Sequence, residues 1–132
     1  MAGVPCQRPR ATVINGMAHI YEPKKTKDFE KKVGEYYRQA TGGYRFSDDA
    51  ALLVSIIFSF KPPISTSKKK AEQMIQGEIS YTKKPDLDNL AKAILDGLNG
   101  IAFKDDSQIV RLNLSKEYGR EDGIWVSIRE GE

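Results

Sequence analysis

The sequence has 132 residues, of which 30% are charged, with a formal net charge of +3. This length fits one domain with its own hydrophobic core. The single Cys6 excludes an internal disulfide, and the lone His19 excludes a zinc site built from several Cys and His ligands. No apolar stretch reaches the ~18 residues that span a bilayer, and the first residues lack a signal-peptide core. We therefore expect a soluble, intracellular domain without a membrane partner.

The first predicted elements are a strand pair and a helix. Asn15-Gly16 is a hairpin-turn dipeptide within residues 9–21, where apolar residues favour strands. After Pro23, apolar side chains recur at helical spacing, with Thr26 as the expected N-cap and Gly42-Gly43 as the end. This apolar face contains Phe29, Val33, Tyr36, Tyr37 and Ala40.

A buried central strand is predicted over Ala50–Phe60, because its run of β-branched and aromatic residues is too continuous for a half-exposed strand. Pro62-Pro63 ends it. The segment 61–82 is expected to be mobile and basic, with Ser67 capping a short helix. Its lysines, Lys68 to Lys70, either contact DNA phosphate or form a solvated surface, and the sequence alone leaves both open.

The clearest predicted helix spans Asp86 to Asn99, with an apolar stripe along one side. Two strands with alternating apolar residues follow, over 110–114 and 124–128. The chain is therefore predicted to be a single α+β domain over 1–132, with helices packed on a mixed or antiparallel sheet.

Two aspartates at the start of this helix are the main chemical signal. Pro85 disfavours helix in the residue before it, so Asp86 falls at or just before the N-cap and Asp88 in the first turn. There the positive end of the helix dipole favours ionised carboxylates, which a divalent cation requires. Lys92 lies one turn after Asp88, and Asp105-Asp106 follow the helix after a short connection, which we expect to return them towards its start. Taken singly, these residues are also explained as a helix cap and an i,i+4 charge ladder.

The stretch from Lys83 to Ile109, KKPDLDNLAKAILDGLNGIAFKDDSQI, closely resembles the signature of the RusA family of Holliday-junction resolvases. These are dimeric endonucleases borne by phages and prophages. The resemblance continues more loosely upstream, through Arg8-Pro9-Arg10, residues 21–26 and Ser67-Lys68-Lys69-Lys70. It departs at Lys83-Lys84-Pro85, where some members carry arginines that bind phosphate in a bidentate manner.

The resemblance implies catalytic roles for four residues and a metal site in three of them. By position, Asp86, Asp88 and Asp106 match the metal-binding carboxylates, for Mg²⁺ or Mn²⁺ in its place, and Lys92 matches the essential lysine. The implied fold is a small mixed β-sheet packed with two main helices, in an intertwined or two-fold dimer. The implied partners are a second subunit and branched DNA, four-way junctions above all, in recombination and repair in the cytoplasm, at the nucleoid when bound to DNA. The expected DNA-binding residues are Lys68, Lys69, Lys70, Lys83, Lys84 and Lys116.

Two other functions compete with this interpretation. A branched-DNA binding protein without catalysis would need the same basic residues but not the aspartates. A metal-dependent enzyme acting on small phosphorylated molecules would need a nucleotide pocket, and the sequence has no Gly-rich phosphate loop of the P-loop type.

Overall fold

A computed structural model describes residues 10–14 and 26–131, and the side chains of 27–131. In chain order, the elements are β1 Arg10–Ile14, α1 Thr26–Thr41, β2 Leu52–Phe60, α2 Lys68–Ile75, α3 Leu87–Leu98, a 3₁₀ turn Asp106–Gln108, β3 Ile109–Tyr118 and β4 Gly123–Glu130. This order confirms the α+β class. No helix among the described residues is long and apolar enough to cross a membrane.

The four strands form one mixed sheet in the order β1-β4-β2-β3. Strands β2 and β3 are parallel, and β4 is antiparallel to both β1 and β2. A parallel pair requires a crossover connection, which here contains α2 and α3. Strand β2 is therefore central, as predicted, whereas β3 forms one edge of the sheet.

The core lies between one face of this sheet and helices α1 and α3. From β2 and β4, the side chains that point to this face alternate along each strand and are almost fully buried. Helix α1 adds Phe29, Val33 and Tyr37, and α3 adds Leu90, Ile94 and Leu98. The predicted apolar stripe of α3 and most of that of α1 are thus confirmed as core, whereas Ala40, near the end of α1, is exposed.

The other face of the sheet is open among the described residues, and this corrects one prediction. Ser55 is exposed and Ile57 is 37% exposed, so β2 is buried on one face and not on both. On the neighbouring strand β4, Ile57 is paired with Trp125, which is 55% exposed. The apolar density of β2 predicted a strand buried on two sides, but the helices cover only one.

Element boundaries agree closely with the sequence wherever a cap or glycine marks them. Helix α1 ends at Thr41, where Gly42 and Gly43 adopt positive φ angles of 68° and 83°. Ser67 caps α2, since its side chain accepts a hydrogen bond from the Lys70 amide at 3.2 Å. Helix α1 begins at Thr26 itself, and not one residue later as an N-cap there would give.

Part of the predicted N-terminal hairpin lies outside the described residues. Strand β1 is confirmed, and it pairs with β4. The Asn15-Gly16 turn, the second hairpin strand, Cys6 and His19 fall in ranges that the structure does not describe.

Candidate active site

Asp86 and Asp88 lie together at the amino end of α3, and both are exposed. Asp86 occupies the N-cap position with extended φ and ψ angles of −72° and 143°, and its carbonyl accepts the Leu90 amide at 3.1 Å. Its carboxylate, however, makes no capping hydrogen bond. Among the described residues, Asp88 accepts only a local bond, from the Asn89 amide at 3.0 Å. The simple cap interpretation of Asp86 is therefore wrong, and both carboxylates present oxygens to solvent.

The loop of residues 83–85, which leads into Asp86, is held by two side chains. The Lys116 ammonium, on β3, donates to the Lys83 carbonyl at 2.7 Å and to the Pro85 carbonyl at 2.9 Å. The Tyr81 hydroxyl donates to the carbonyl between them, that of Lys84, at 2.8 Å. Three consecutive carbonyls are thus satisfied by side chains, which fixes the path of the backbone into α3.

Asp105 and Asp106 lie in a 3₁₀ turn before β3, and they have different surroundings. The Asp105 carboxylate accepts the Ser107 amide at 3.3 Å as an N-cap. Hydrogen bonding with Ser107 holds the pKa of Asp105 below its usual value, because these bonds favour the ionised form. Asp105 is thus a structural cap. The Asp106 carboxylate is half-buried and makes no hydrogen bond to any residue that the structure describes.

Gln108 fixes this turn to the rest of the domain. Its side-chain oxygen accepts the amides of Lys104 and Asp105 at 3.0 and 3.2 Å. Its side-chain nitrogen donates to the carbonyls of Ser47 and Ala50 at 2.9 and 3.0 Å.

Sequence reasoning missed the roles of Gln108 and Tyr81. The capping box of Asp105 and Gln108 is a local pattern that could have signalled the turn. The Gln108 bonds to Ser47 and Ala50 join residues more than fifty positions apart and have no such signal. The contacts of the Tyr81 ring with Phe60 and Tyr118 likewise depend on the folded chain.

The two aspartate segments lie at opposite ends of the sheet. The 3₁₀ turn precedes the pair Leu52↔Ile109, whereas Lys116 and the 83–85 loop lie near the pair Phe60↔Tyr118. Strand β2 separates these pairs by about 26 Å, at a rise of about 3.3 Å per residue. Accordingly, residues 10–14 and 26–131 contain no group of three or more Asp, Glu, His or Cys placed to hold a metal ion.

The expectation that the chain returns Asp106 to the start of α3 is therefore wrong for a single subunit. The connection after α3 is short, so Asp106 stays at the carboxyl end of that helix. Only after Asp106 does β3 run back towards Asp86, and it brings Lys116 there.

Lys92 is exposed on α3, one turn beyond Asp88. In the described part of the chain it forms no ion pair with Asp88 or Asp96, so a charge ladder does not account for it. The positive charge of Lys92 interacts electrostatically with the Glu30 carboxylate on the neighbouring helix α1. Burial and the nearby Asp96 raise the pKa of Glu30, whereas Lys27 and Lys92 lower it.

Five of the six predicted DNA-binding lysines are exposed, and the sixth, Lys116, is half-buried. Lys68, Lys69 and Lys70 are exposed at the start of α2, and Lys83 and Lys84 are exposed beside Asp86. Lys116 differs, because its half-buried ammonium is bonded to carbonyls and lies 4.9 Å from the centre of the Tyr81 ring.

Helix α2 is anchored to the domain at two points. The Arg120 guanidinium contacts the Glu72 carboxylate at 2.9 Å, and Met74 is buried. Hydrogen bonds from Gln76 and Arg120 lower the pKa of Glu72. These contacts give α2 and its lysines a defined position beside the sheet.

Comparison with known proteins agrees with the α+β fold and with a site of carboxylates and lysines suited to nucleic-acid chemistry. The family described as Endodeoxyribonuclease RusA matches residues 2–129 of the chain. A relative from Bacillus subtilis (strain 168), described as Uncharacterized protein YqaN, is 37% identical over 123 residues, which cover 93% of this chain and 87% of the relative. The chain belongs to the RusA endodeoxyribonuclease family, and this membership supports a nuclease that acts on DNA.

Proposed function

We propose that this protein is a metal-dependent endodeoxyribonuclease that resolves four-way DNA junctions by paired, symmetric nicks, in recombination and repair. The observation that carries the proposal is the pair of exposed carboxylates at the start of α3, of which Asp86 stands at the N-cap without acting as one. In a chain of an endodeoxyribonuclease family, a divalent cation is the partner that accounts for this pair.

The donor set at the start of α3 fits Mg²⁺ or Mn²⁺. Both ions prefer carboxylate oxygens, and Mg²⁺ is commonly held by one or two carboxylates, several waters and substrate phosphate. Asp86 and Asp88 supply two such groups at the amino end of α3. When bound, the cation supplies water activation and stabilises charge on the leaving oxygen.

Lys92 supplies a positive charge on the same side of α3 as Asp88. An i,i+4 spacing places the two side chains on one helix face. Because Lys92 forms no ion pair with its acidic neighbours in the described chain, its ammonium is available to a phosphodiester at Asp88. There it offsets the charge that builds on the phosphate in the transition state.

A third carboxylate, that of Asp106, reaches this site only from a second subunit. Strand β3 is an edge strand, and no described strand pairs with its outer side. Antiparallel pairing of β3 with its copy brings the start of one β3 beside the end of the other, and thus the partner subunit's Asp106 towards Asp86. Val110 and Leu112 on this strand are 66% and 38% exposed, and pairing would bury them. A two-fold homodimer also supplies two equivalent sites for two symmetric nicks.

DNA contact is assigned to the exposed lysines on the same side of the fold. Lys83 and Lys84 flank Asp86, and Lys68, Lys69 and Lys70 extend the positive charge along α2. Such contacts bind the phosphate backbone without reading sequence. They position branched DNA over the carboxylates.

The test is cleavage of a synthetic four-way junction and a matched linear duplex, each with Mg²⁺ or with EDTA. We expect paired nicks in the junction alone, lost with EDTA and reduced roughly a hundredfold or more in Asp88→Asn. Asp28→Asn is the matched control, since Asp28 lies in the first turn of α1 as Asp88 does in that of α3. Tight junction binding without cleavage in any metal would instead establish a non-catalytic branched-DNA binding protein.

A further inference from the structure

We infer that Lys116 is a positioning residue for the Asp86–Asp88 carboxylate pair and not a contact to DNA phosphate. The inference deepens the proposed function and rests on its metal site. Lys116 lies thirty positions after Asp86 in the sequence, and its role follows from contacts that only the folded chain makes.

The first argument is the use of the Lys116 ammonium. An ammonium has three hydrogens to donate, and two of them are directed to the carbonyls of Lys83 and Pro85 at 2.7 and 2.9 Å. The charge lies 4.9 Å from the centre of the Tyr81 ring, within the range of a cation–π interaction. A phosphate contact would require Lys116 to abandon these partners, whereas Lys83 and Lys84 are already exposed.

The second argument is what Lys116 holds. The 83–85 loop carries Asp86 as its next residue, and Asp86 has no capping bond of its own to fix its side chain. The backbone into α3 is fastened to β3 through Lys116 and to Tyr81 through the Lys84 carbonyl. We call the two hydrogen bonds of the Lys116 ammonium and the one of the Tyr81 hydroxyl the Lys116–Tyr81 clamp.

The third argument is the rigidity of the clamp's base. The Tyr81 ring stacks on Phe60 with centroids 4.6 Å apart and contacts Tyr118 at 4.8 Å. Phe60 and Tyr118 are buried and are paired across β2 and β3. The clamp therefore ties the position of Asp86 to the buried ends of β2 and β3. In this way a supporting residue sets the geometry of metal ligands.

The decisive experiment measures metal binding without DNA and DNA binding without metal. Lys116→Met removes the clamp's two ammonium bonds and keeps a side chain of similar length. Lys116→Arg retains a donor for carbonyls, Tyr81→Phe removes only the hydroxyl bond, and Lys61→Met removes one exposed charge elsewhere. For each variant we would titrate Mn²⁺ into DNA-free protein, measure junction affinity against salt in EDTA, and follow amide hydrogen exchange of residues 86–90.

We expect the Mn²⁺ affinity of Lys116→Met to be lower by roughly tenfold or more, which is typical when a group that supports metal ligands is removed. Amide exchange at 86–90 should rise, and junction affinity in EDTA and its salt dependence should match those of Lys61→Met. Lys116→Arg should recover most of the Mn²⁺ affinity, and Tyr81→Phe should lose less of it than Lys116→Met. Cleavage by Lys116→Met should need more Mg²⁺, with much of the maximal rate recovered at saturation.

Two results would overturn the inference while leaving the proposed function intact. One is wild-type Mn²⁺ affinity and wild-type amide exchange in both Lys116→Met and Tyr81→Phe. The other is a loss of junction affinity in EDTA, beyond that of Lys61→Met, with a salt slope lower by about one, the signature of a lost phosphate contact. A wild-type protein that binds no Mn²⁺ and cuts no junction would overturn the proposed function itself, and the metal-positioning role with it.

Discussion

At the scale of single residues, Asp86 and Ser67 show one backbone position used in two ways. Each stands at the N-cap of a helix with extended geometry, but only the Ser67 side chain accepts a hydrogen bond from the helix. A capping bond typically stabilises a protein by about 1 kcal/mol. The Asp86 carboxylate makes no such bond, so its oxygens are left available to bind a ligand.

Asp86→Ala is therefore expected to cost less free energy of unfolding than a lost cap, under about 1 kcal/mol. The same variant should lose the rise in melting temperature that Mg²⁺ or Mn²⁺ gives the wild type, since a ligand stabilises only the state that binds it. Ser67→Ala is the matched control, and should be destabilised yet keep the metal-induced rise. Thermal melts with and without metal measure both effects. A larger loss in Asp86→Ala than in Ser67→Ala without metal would show that Asp86 is a structural cap after all.

Glu30 predicts a pH dependence of stability. Burial and the charge of Asp96 raise its pKa, so the folded state binds the proton more tightly than the unfolded state. The stabilisation is fully present below the unfolded-state pKa and is lost as pH rises through the folded-state pKa. Glu30→Gln should thus gain in melting temperature relative to the wild type as pH rises from about 4 towards neutrality. Glu35→Gln, an exposed change in the same helix, should not show this gain, and equal curves for the two variants would contradict the prediction.

At the scale of elements, helices α1 and α3 meet through two glycines with different surroundings. A Cβ at Gly97 would lie 2.8 Å from the Glu30 carbonyl oxygen and 2.8 Å from the Val33 Cβ. A Cβ at Gly34 would meet the end of the Ile101 side chain at 2.5 Å, which can rotate away. The close approach of the helices therefore depends on Gly97 and much less on Gly34.

Gly97→Ala should destabilise the protein by about 1 kcal/mol, within a range of ~0–2 kcal/mol. Overpacking against backbone typically costs 1–3 kcal/mol, and the better helix propensity of alanine returns about 1 kcal/mol. Gly34→Ala should be neutral or slightly stabilising, because the Ile101 side chain can rotate away and alanine has the better helix propensity. Urea denaturation of the two variants provides the comparison. A Gly97→Ala protein as stable as Gly34→Ala would mean that the helices separate without cost.

At the scale of the whole molecule, the distance between the aspartate segments determines how the site is built. Asp106 lies about one strand length from Asp86 in a single chain, by the rise of about 3.3 Å per residue. If all three carboxylates serve one metal site, two chains must contribute to it. Subunits that carry different defects then become informative.

Mixed dimers of Asp88→Asn and Asp106→Asn chains should regain one active site of the two. One site combines both substitutions, and the other combines the intact Asp86 and Asp88 of one chain with the intact Asp106 of its partner. We expect single nicks in a four-way junction from purified mixed dimers, and none from either parental dimer. Differently tagged, co-expressed chains provide the mixed dimers, and light scattering checks their mass. Absence of any cleavage by the mixed dimers would place all catalytic carboxylates within one subunit.

The correct predictions from sequence concern features that are encoded locally. Alternating, helical and continuous apolar patterns identified the described α-helices and strands, and glycines and caps gave their ends. Pro85 placed Asp86 at the start of α3. All these signals depend on neighbours a few residues apart, whereas the 3₁₀ turn Asp106–Gln108 is not among the predicted elements. The Lys83–Ile109 signature gave the family, which comparison confirmed over residues 2–129.

Which faces are covered, and which distant residues meet, depends on the packing of the folded domain. Strand β2 has the composition of a strand buried on both sides, yet its second face is open in the described chain. Lys116 resembles a surface lysine in sequence, and its two carbonyl partners become visible only when β3 returns to the 83–85 loop. Asp106 was expected beside Asp86, but the strand that returns begins after it. Such contacts join residues far apart in the chain, and the order of strands that creates them is set by packing of the whole domain and not by any local pattern.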